Sequence, residues 1–330
     1  MNRRLNSHLA IMPLVLGALA AGALAHPEPA QATPISCGFT ITNLSFGTVD
    51  LTLNTTIDST ATLSANCTGD AGTVVRVCPN INAGSGGTTT GSPRFMLNGS
   101  DKLNFDLYQD AARTVVWGSY LWAYSSYTAP TIDITLNAGG SGSATATIYG
   151  RISSGQQSLP PGSYSSAFSG SNTQIAYAAA GVGTCAAIGN LNATSASFTA
   201  SATYSATCSV SAAALNFGST GVLTSALDGT TSLTATCSAS TPYTIGLDGG
   251  NASASDPTQR KMSNSGVQIT YGLYQNAARS QPWGNNTGTN TVAGTGSGSG
   301  QSITVYGRVP AQTTPAPGTY SDSIIATLTY

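Results

Sequence analysis

The stretch Phe105-Asp-Leu-Tyr-Gln-Asp-Ala-Ala-Arg113 returns later in the chain as Tyr271-Gly-Leu-Tyr-Gln-Asn-Ala-Ala-Arg279. The stretches around it return in the same order, which indicates a tandem duplication of one domain rather than a short solenoid repeat. The other matched pairs are Cys37 to Gly47 with Cys208 to Gly218, Trp117-Gly118 with Trp283-Gly284, Ile148 to Ile152 with Val305 to Val309, and Pro161 to Ser165 with Pro317 to Ser321. We therefore expect two domains, at 33–204 and 205–330.

Each copy is built of short segments in which apolar and polar residues alternate. Examples are 144–149, 302–306 and 323–330, and Gly, Pro, Asn and Ser turns separate such segments. Thr, Val, Ile and Tyr favour strands, and no segment after residue 32 carries a helical period of useful length. The pattern predicts an all-β protein of two tandem Ig-like β-sandwiches.

The first residues have the pattern of a secretory leader. Arg3 and Arg4 precede an apolar run at 9–25, and small residues follow it. The run is short for a membrane span, which needs about 20 residues. We therefore predict a signal peptide at 1–32, cleaved after Ala25 or Ala32.

Six cysteines follow the leader, and an even number in an exported chain indicates disulfides. Six cysteines allow 15 pairings, but the repeat places two of the pairs at equivalent positions. The two remaining cysteines occur only in the first copy. No C-x-x-C spacing and no nearby His supports a zinc site. The predicted disulfides are Cys37–Cys67, Cys208–Cys237 and Cys78–Cys185.

The composition excludes several classes of function. Only 7% of the residues are charged and the formal net charge is −1, so the chain lacks the basic surface that binds nucleic acid or an anionic membrane. A hydrophobic fraction of 40% is too high for a disordered tract. His26, within the predicted leader region 1–32, is the last histidine, and the aspartates are scattered without a motif. We expect neither an enzyme nor a bound cofactor or metal.

The two copies end differently. The second stops on a strand whose one face is apolar and uncovered; its members are Ile324, Ala326, Leu328 and Tyr330. The first continues through the alternating stretch 195–204, which can supply a missing strand to its own domain. Because an open strand edge invites pairing, we expect the second domain to take its missing strand from another chain.

These motifs resemble the spore coat protein U domain, which forms the subunits of archaic, Csu-type chaperone–usher pili. The motifs are Phe-Gly after the first Cys, Leu-Tyr-x-(Asp/Asn)-Ala-Ala-Arg, Trp-Gly, Tyr-Gly-Arg and Pro-Gly-(Ser/Thr)-Tyr-Ser, and they cover almost the whole mature chain twice. The resemblance implies a tip subunit with an N-terminal adhesin domain and a C-terminal, incomplete pilin domain, secreted through the periplasm to a cell-surface pilus.

The resemblance also implies partners: a periplasmic pilus chaperone, an outer-membrane usher and an adjacent subunit that donates a strand. Few residues precede Cys37, and Pro27, Pro29 and Pro34 among them cannot donate backbone hydrogen bonds. We therefore expect this chain to receive a strand but not to donate one, as a subunit at the fibre tip would.

Loops found only in the first copy are the candidates for adhesion, in surface attachment and biofilm formation. The candidate residues are Tyr120, Leu121, Trp122, Tyr124 and Tyr127, with Ile175, Tyr177 and Val182. Exposed aromatic rings would hold a hydrophobic surface or an unknown receptor. Since Tyr120, Trp122 and Tyr124 alternate, a strand packing its own core is the competing interpretation. A glycan-binding lectin and a structural spore-coat or extracellular matrix protein remain alternative functions.

Overall fold

The computed structural model describes residues 32–330, so the predicted leader lies outside the described residues except for Ala32. The one α-helix in this range is α1 (Cys185–Ile188), and 3-10 turns occupy Leu51–Leu53, Gly170–Asn172 and Ala180–Val182. Among residues 32–330, no helix has the length and apolar character needed to cross a membrane. The chain is all-β, as the sequence predicts.

In residues 32–330, twenty strands form four sheets. The first sandwich contains β1 (Ser36–Ile41), β2 (Leu44–Val49), β3 (Ile57–Thr68), β4 (Val74–Ile81), β5 (Arg94–Asn98), β6 (Asp101–Tyr108), β7 (Ile132–Thr135), β8 (Ser141–Ile152), β9 (Gly162–Phe168), β10 (Thr173–Ala179), β11 (Thr194–Ser195) and β12 (Phe198–Tyr204). The second contains β13 (Cys208–Ala212), β14 (Leu227–Cys237), β15 (Pro242–Leu247), β16 (Arg260–Asn264), β17 (Val267–Tyr274), β18 (Val292–Thr295), β19 (Gly300–Val309) and β20 (Ala326–Thr329).

The first sandwich packs an eight-stranded sheet, in the order β1-β3-β8-β6-β5-β9-β12-β2, on a four-stranded sheet, in the order β11-β10-β4-β7. Successive side chains of a strand point to opposite faces. Along β3, therefore, Ala61, Leu63 and Ala65 are buried while Thr60 and Thr62 are exposed. They share one core with Val75 and Val77 of the facing sheet.

The second sandwich repeats this plan with fewer strands. Its larger sheet has the order β13-β14-β19-β17-β16 and its smaller sheet the order β18-β15-β20. Leu233 and Ala235 on β14 pack against Tyr243, Ile245 and the neighbouring core residues. Residues 205–207 connect the last strand of the first sandwich to the first strand of the second.

The repeated tryptophans anchor equivalent points of the two cores. The indole N–H of Trp117 donates to the carbonyl oxygen of Pro79 at 2.8 Å, and that of Trp283 donates to the carbonyl oxygen of Ile245 at 2.9 Å. Both rings are almost completely buried. This contact aligns Pro79 with Ile245, and so fixes the correspondence between β4 and β15.

The Ala-Ala-Arg and Tyr-Gly-Arg motifs meet at one carboxylate in each copy. In the first copy, Asp58 accepts from Arg151 at 2.7 Å and pairs with Arg113 at 3.2 Å. In the second copy, Asp228 accepts from Arg308 at 2.7 Å and pairs with Arg279 at 3.2 Å. The hydrogen bond from Arg151, followed by the charges of both arginines, holds the pKa of Asp58 below its usual value. These shared residues therefore belong to the fold.

A buried arginine in each sandwich is a feature that the sequence reasoning missed. Arg94 and Arg260 are completely buried. Arg94 donates to backbone carbonyls and pairs with Asp106, whereas the second copy has Gly272 at the position of Asp106. The repeated Arg-x-Met at 94–96 and 260–262 is the signal that could have identified the pair.

All three predicted disulfides are present: Cys37–Cys67, Cys78–Cys185 and Cys208–Cys237. The first and third join the first strand of each sandwich to its antiparallel neighbour. The second joins β4 to α1, and its two cysteines share a small buried cluster with Ala176, Ala178 and Ile188.

Candidate functional site

The place between β2 and β9 is filled in the first sandwich. β12 pairs antiparallel with β9, with Phe198 opposite Phe168, and parallel with β2, with Ala200 opposite Leu44. The inward residues Phe198, Ala200, Ala202 and Tyr204 of β12 are all buried. The chain thus supplies this strand to its own first copy, as the alternation of 195–204 suggests.

The equivalent place in the second sandwich is an open groove. The segments that correspond to β2 and β9 are residues 215–218 and 318–324, and no strand of the described chain lies between them. A cavity of about 380 Å³ occupies the gap. We call it the groove; its lining includes Leu215, Phe217, Leu233, Met262, Tyr271, Leu273, Val305, Tyr320, Asp322, Ile324 and Ala326.

Equivalent side chains differ in burial between the two copies. Leu44, Met96 and Phe168 are fully buried in the first sandwich. Their counterparts Leu215, Met262 and Ile324 are only partly buried. The same contrast holds for Phe46 against Phe217 and for Tyr164 against Tyr320. The second copy therefore leaves these apolar side chains more exposed than their counterparts in the first.

A row of aromatic rings is longer in the first sandwich than in the second. In the first sandwich Phe46, Phe105, Phe168 and Phe198 follow one another, and the last two stack at 4.4 Å between ring centroids. In the second sandwich the ring centroids of Phe217 and Tyr271 lie 6.0 Å apart. Ile324 stands at the position of Phe168, and the position of Phe198 falls in the groove.

The four residues expected at the open edge have different environments. Ile324 and Ala326 line the groove. Leu328 lies on β20 and is partly buried against the core, opposite Ile245. Tyr330 is 61% exposed. The sequence reasoning missed the other wall of the groove, Leu215 and Phe217. The Leu-x-Phe pattern repeated at 44–46 and 215–217 is the signal that could have identified it.

The aromatic stretch 120–127 forms a loop of turns and bends, not a strand. Tyr120 is the exposed member; Leu121, Trp122, Tyr124 and Tyr127 are partly buried. The ring of Trp122 lies 5.1 Å from the guanidinium of Arg94 and 5.1 Å from the ring of Tyr124. The hydroxyl of Tyr124 donates to the backbone carbonyl oxygen of Thr89. Trp122 therefore also covers a buried charge, and replacing it will disturb the fold.

Ile175 and Tyr177 do not lie in an exposed loop, and that expectation is wrong. Both lie on β10 and are buried. The physical reason is that β10 is covered on both faces: Ile175 and Tyr177 face the sandwich core, while Ala176 and Ala178 pack beneath α1 and the Cys78–Cys185 bridge.

The segment after β10 carries the exposed apolar residues of this region. Val182 is 51% exposed and Leu191, which the sequence reasoning did not single out, is 46% exposed; Ala186 and Ala187 between them are exposed too. We call these four residues the apolar patch. The sequence from 152 to 227 contains no charged residue, so the patch has no charged neighbour along the chain.

The apolar patch and the aromatic loop lie at different ends of β4. The backbone N–H of Tyr120 donates to Asn80 at 2.8 Å, whereas Arg76 donates to the carbonyl oxygen of Gly183 at 2.8 Å. Four residues of strand, roughly 13 Å, separate those two points. Cys78, which forms the bridge to Cys185, lies between these two points on β4.

One polar pair stands out in the groove. The hydroxyl of Tyr271 donates to Asp322 Oδ2 at 2.7 Å, and burial followed by this hydrogen bond raises the pKa of the Tyr271 phenol far above its usual value. Asp322 Oδ1 accepts from the backbone N–H groups of Asn251 and Ser323. Across residues 32–330, no three His, Cys, Asp or Glu side chains group as metal ligands would.

Comparison with known proteins places the chain among relatives. The family model of the Spore Coat Protein U domain matches residues 28–170 and again residues 194–327. The chain is 34% identical over 139 residues to Protein U of Myxococcus xanthus, which covers 37% of this chain and 77% of that protein.

Two solved structures align with most of the chain. One is a chain of the chaperone–tip adhesion subunit pre-assembly complex CsuC–CsuE, from the archaic chaperone–usher Csu pili of Acinetobacter baumannii. It aligns with a TM-score of 0.51 and 16% identity, over 89% of this chain and 100% of that chain. The CupB6 tip adhesin of Pseudomonas aeruginosa aligns with a TM-score of 0.40 and 12% identity, over 90% and 94% of the two chains.

Proposed function

The chain belongs to the Spore Coat Protein U domain family and carries that domain twice, and from this premise we propose that it is a secreted adhesive tip subunit of a chaperone–usher pilus. In this proposal the first copy, residues 33–204, is the adhesin domain, complete in itself. The second copy, residues 205–330, is a pilin domain whose groove takes a strand from another chain. The protein has no enzymatic role in this proposal.

One observation carries the proposal. Two copies of the same sandwich occur in one chain, and the place that β12 fills in the first is open in the second. Exposed apolar surface and unpaired edges of this kind favour strand addition from a partner. A periplasmic chaperone would cover the groove first, and an adjacent subunit would fill it after export through an outer-membrane usher. The fold shared with a chain of a chaperone–tip adhesion subunit complex supports this assignment of partners.

The repeat itself supplies the test. Because Pro79 corresponds to Ile245, Tyr330 occupies the register of Tyr177. A copy of residues 178–204, with Cys185→Ser, can therefore be appended after Tyr330. It would continue the second sandwich in the way that residues 178–204 continue the first. We expect this extended chain to be monomeric and to unfold at a higher temperature than the native chain.

The matched control is the same extension with Phe198→Ser and Tyr204→Ser in the appended copy only. It has equal length but lacks the two large inward side chains, so it should leave the unfolding temperature of the second sandwich unchanged. Equal stability of the two extended chains would contradict a groove that accepts a strand.

For adhesion we propose the apolar patch, with Tyr120 of the aromatic loop, as the surface that contacts a hydrophobic substratum or receptor. Val182→Ser with Leu191→Ser should reduce adsorption of the purified chain to an alkyl-terminated monolayer. The matched control is Val222→Ser with Ile325→Ser, which removes two similarly exposed apolar residues from the second sandwich. Equal adsorption of the two double variants would contradict the proposal, and inhibition by free glycans would favour the lectin alternative.

A further inference from the structure

The groove contains one carboxylate where the first sandwich has a hydroxyl. Asp322 corresponds to Ser166, by the alignment of Tyr320 with Tyr164. Ser166 is fully buried on β9, the strand paired with β12, directly opposite Ala200. Asp322 lines the groove and is only partly buried. A strand that entered at the register of β12 would therefore bury Asp322 and place one inward side chain opposite it.

The contacts of Asp322 leave it incompletely satisfied for burial. An ionised carboxylate offers about four hydrogen-bond acceptor positions. Tyr271 donates at 2.7 Å, Asn251 at 2.8 Å and Ser323 at 2.9 Å, so the described residues supply three donors. Gly250 lies so close to the carboxylate that any Cβ at this position would collide with it.

No cation neutralises Asp322 directly. Among the ion pairs of residues 32–330, none includes this side chain. The nearby Arg260 is buried, and its guanidinium N–H groups donate to backbone carbonyl oxygens, including those of Leu247 and Pro257. Burying a charged group is costly unless its hydrogen bonds are completed. An apolar side chain opposite Asp322 would therefore oppose closure of the groove.

We propose that Asp322 is a specificity-determining residue of the groove, which selects a partner strand carrying a hydrogen-bond donor side chain at the inward position opposite it. That position corresponds to Ala200 of β12, and a threonine or serine there supplies the fourth donor to the carboxylate. The neighbouring inward positions, opposite Ile324 and Tyr320, take apolar side chains as in β12. The inference rests on the proposed function, because it concerns the strand that the groove accepts.

The extended chain tests the inference with an isosteric pair. The appended copy carries either Ala200→Thr or Ala200→Val, which have the same shape and differ by a hydroxyl group. With native Asp322 we expect the Thr extension to unfold about 4–9 °C above the Val extension, because a hydrogen bond to a charged group is formed only by Thr. In the Asp322→Ser background, which restores the residue of the first copy, the difference should disappear or reverse.

The outcomes separate the two ideas. If both extensions stabilise the second sandwich and unfold at the same temperature with native Asp322, Asp322 does not select the strand, while acceptance of a strand stands. If the Thr preference persists in the Asp322→Ser background, it has another source and the inference fails. If neither extension stabilises more than the Phe198→Ser, Tyr204→Ser control, strand acceptance itself is overturned and the inference falls with it.

Discussion

Replacing Phe198 by alanine tests whether β12 seals the first sandwich. Phe198 is 4% exposed, and its ring stacks on Phe168 with 4.4 Å between centroids and 7° between planes. It ends the row of rings that runs from Phe46 through Phe105. Phe198→Ala therefore removes one wall of a closed core and leaves a hole where the second sandwich has its groove.

The expected cost is large. Truncation of a buried Phe to Ala costs about 3–5 kcal/mol, and the loss of a stacked partner favours the upper end of that range. For a domain of this size each kcal/mol lowers Tm by roughly 2–4 °C, so Tm of the first sandwich should fall by about 6–20 °C.

Urea unfolding and calorimetry of the full chain measure the effect, with the transition of the second sandwich as an internal reference. Thr199→Ala is the matched control, since Thr199 is the outward neighbour on the same strand and only partly buried. It should change stability by less than about 0.5 kcal/mol. A Phe198→Ala cost no larger than that of the control would refute the assignment of β12 as the sealing strand.

Two further predictions concern acid and reduction. The hydrogen bonds from arginine hold the pKa of Asp58 and of Asp228 below the usual value, so their stabilisation is present above pH 4 or so and is lost as pH falls through the lowered values. Since residues 32–330 contain no histidine, the free energy of unfolding should stay constant between pH 5 and 8 and fall below about pH 4. Asp58→Asn should reduce that fall by tenths of a kcal/mol. A step in the free energy of unfolding near pH 6.5 would contradict this prediction. Replacing Cys78 and Cys185 together by alanine removes a disulfide between residues 107 positions apart. The free energy of unfolding of the first sandwich, measured with urea, should fall by about 2–4 kcal/mol, and that of the second sandwich should not change. An equal fall in both would show that the two sandwiches unfold as one unit.

Much of the architecture was predictable because the chain contains its own comparison. The repeat assigned the disulfides, since Cys37–Cys67 and Cys208–Cys237 occupy equivalent strand pairs in both copies. It also separated residues of the fold, such as the paired tryptophans and arginines, from segments that occur once. The cis strand was visible too, because apolar and polar residues alternate along residues 195–204.

Exposure was the property that alternation did not predict. Ile175 and Tyr177 belong to an apolar stretch found once, which suggested a binding loop, yet α1 and the Cys78–Cys185 bridge cover the second face of their strand. Leu191 lies in a polar stretch that gives no sign of an apolar surface, yet it is exposed, as Val182 is. Local sequence carries no record of what a distant segment covers.

The sequence by itself determined the duplication, the all-β class and the three disulfides, because each follows from residue identity and spacing along the chain. Only the tertiary structure decided which walls form the groove and that a carboxylate lies within it. The reason is that Phe217, Tyr271, Ile324 and Asp322 belong to segments far apart in the chain, and these segments meet only when the sandwich packs around its core.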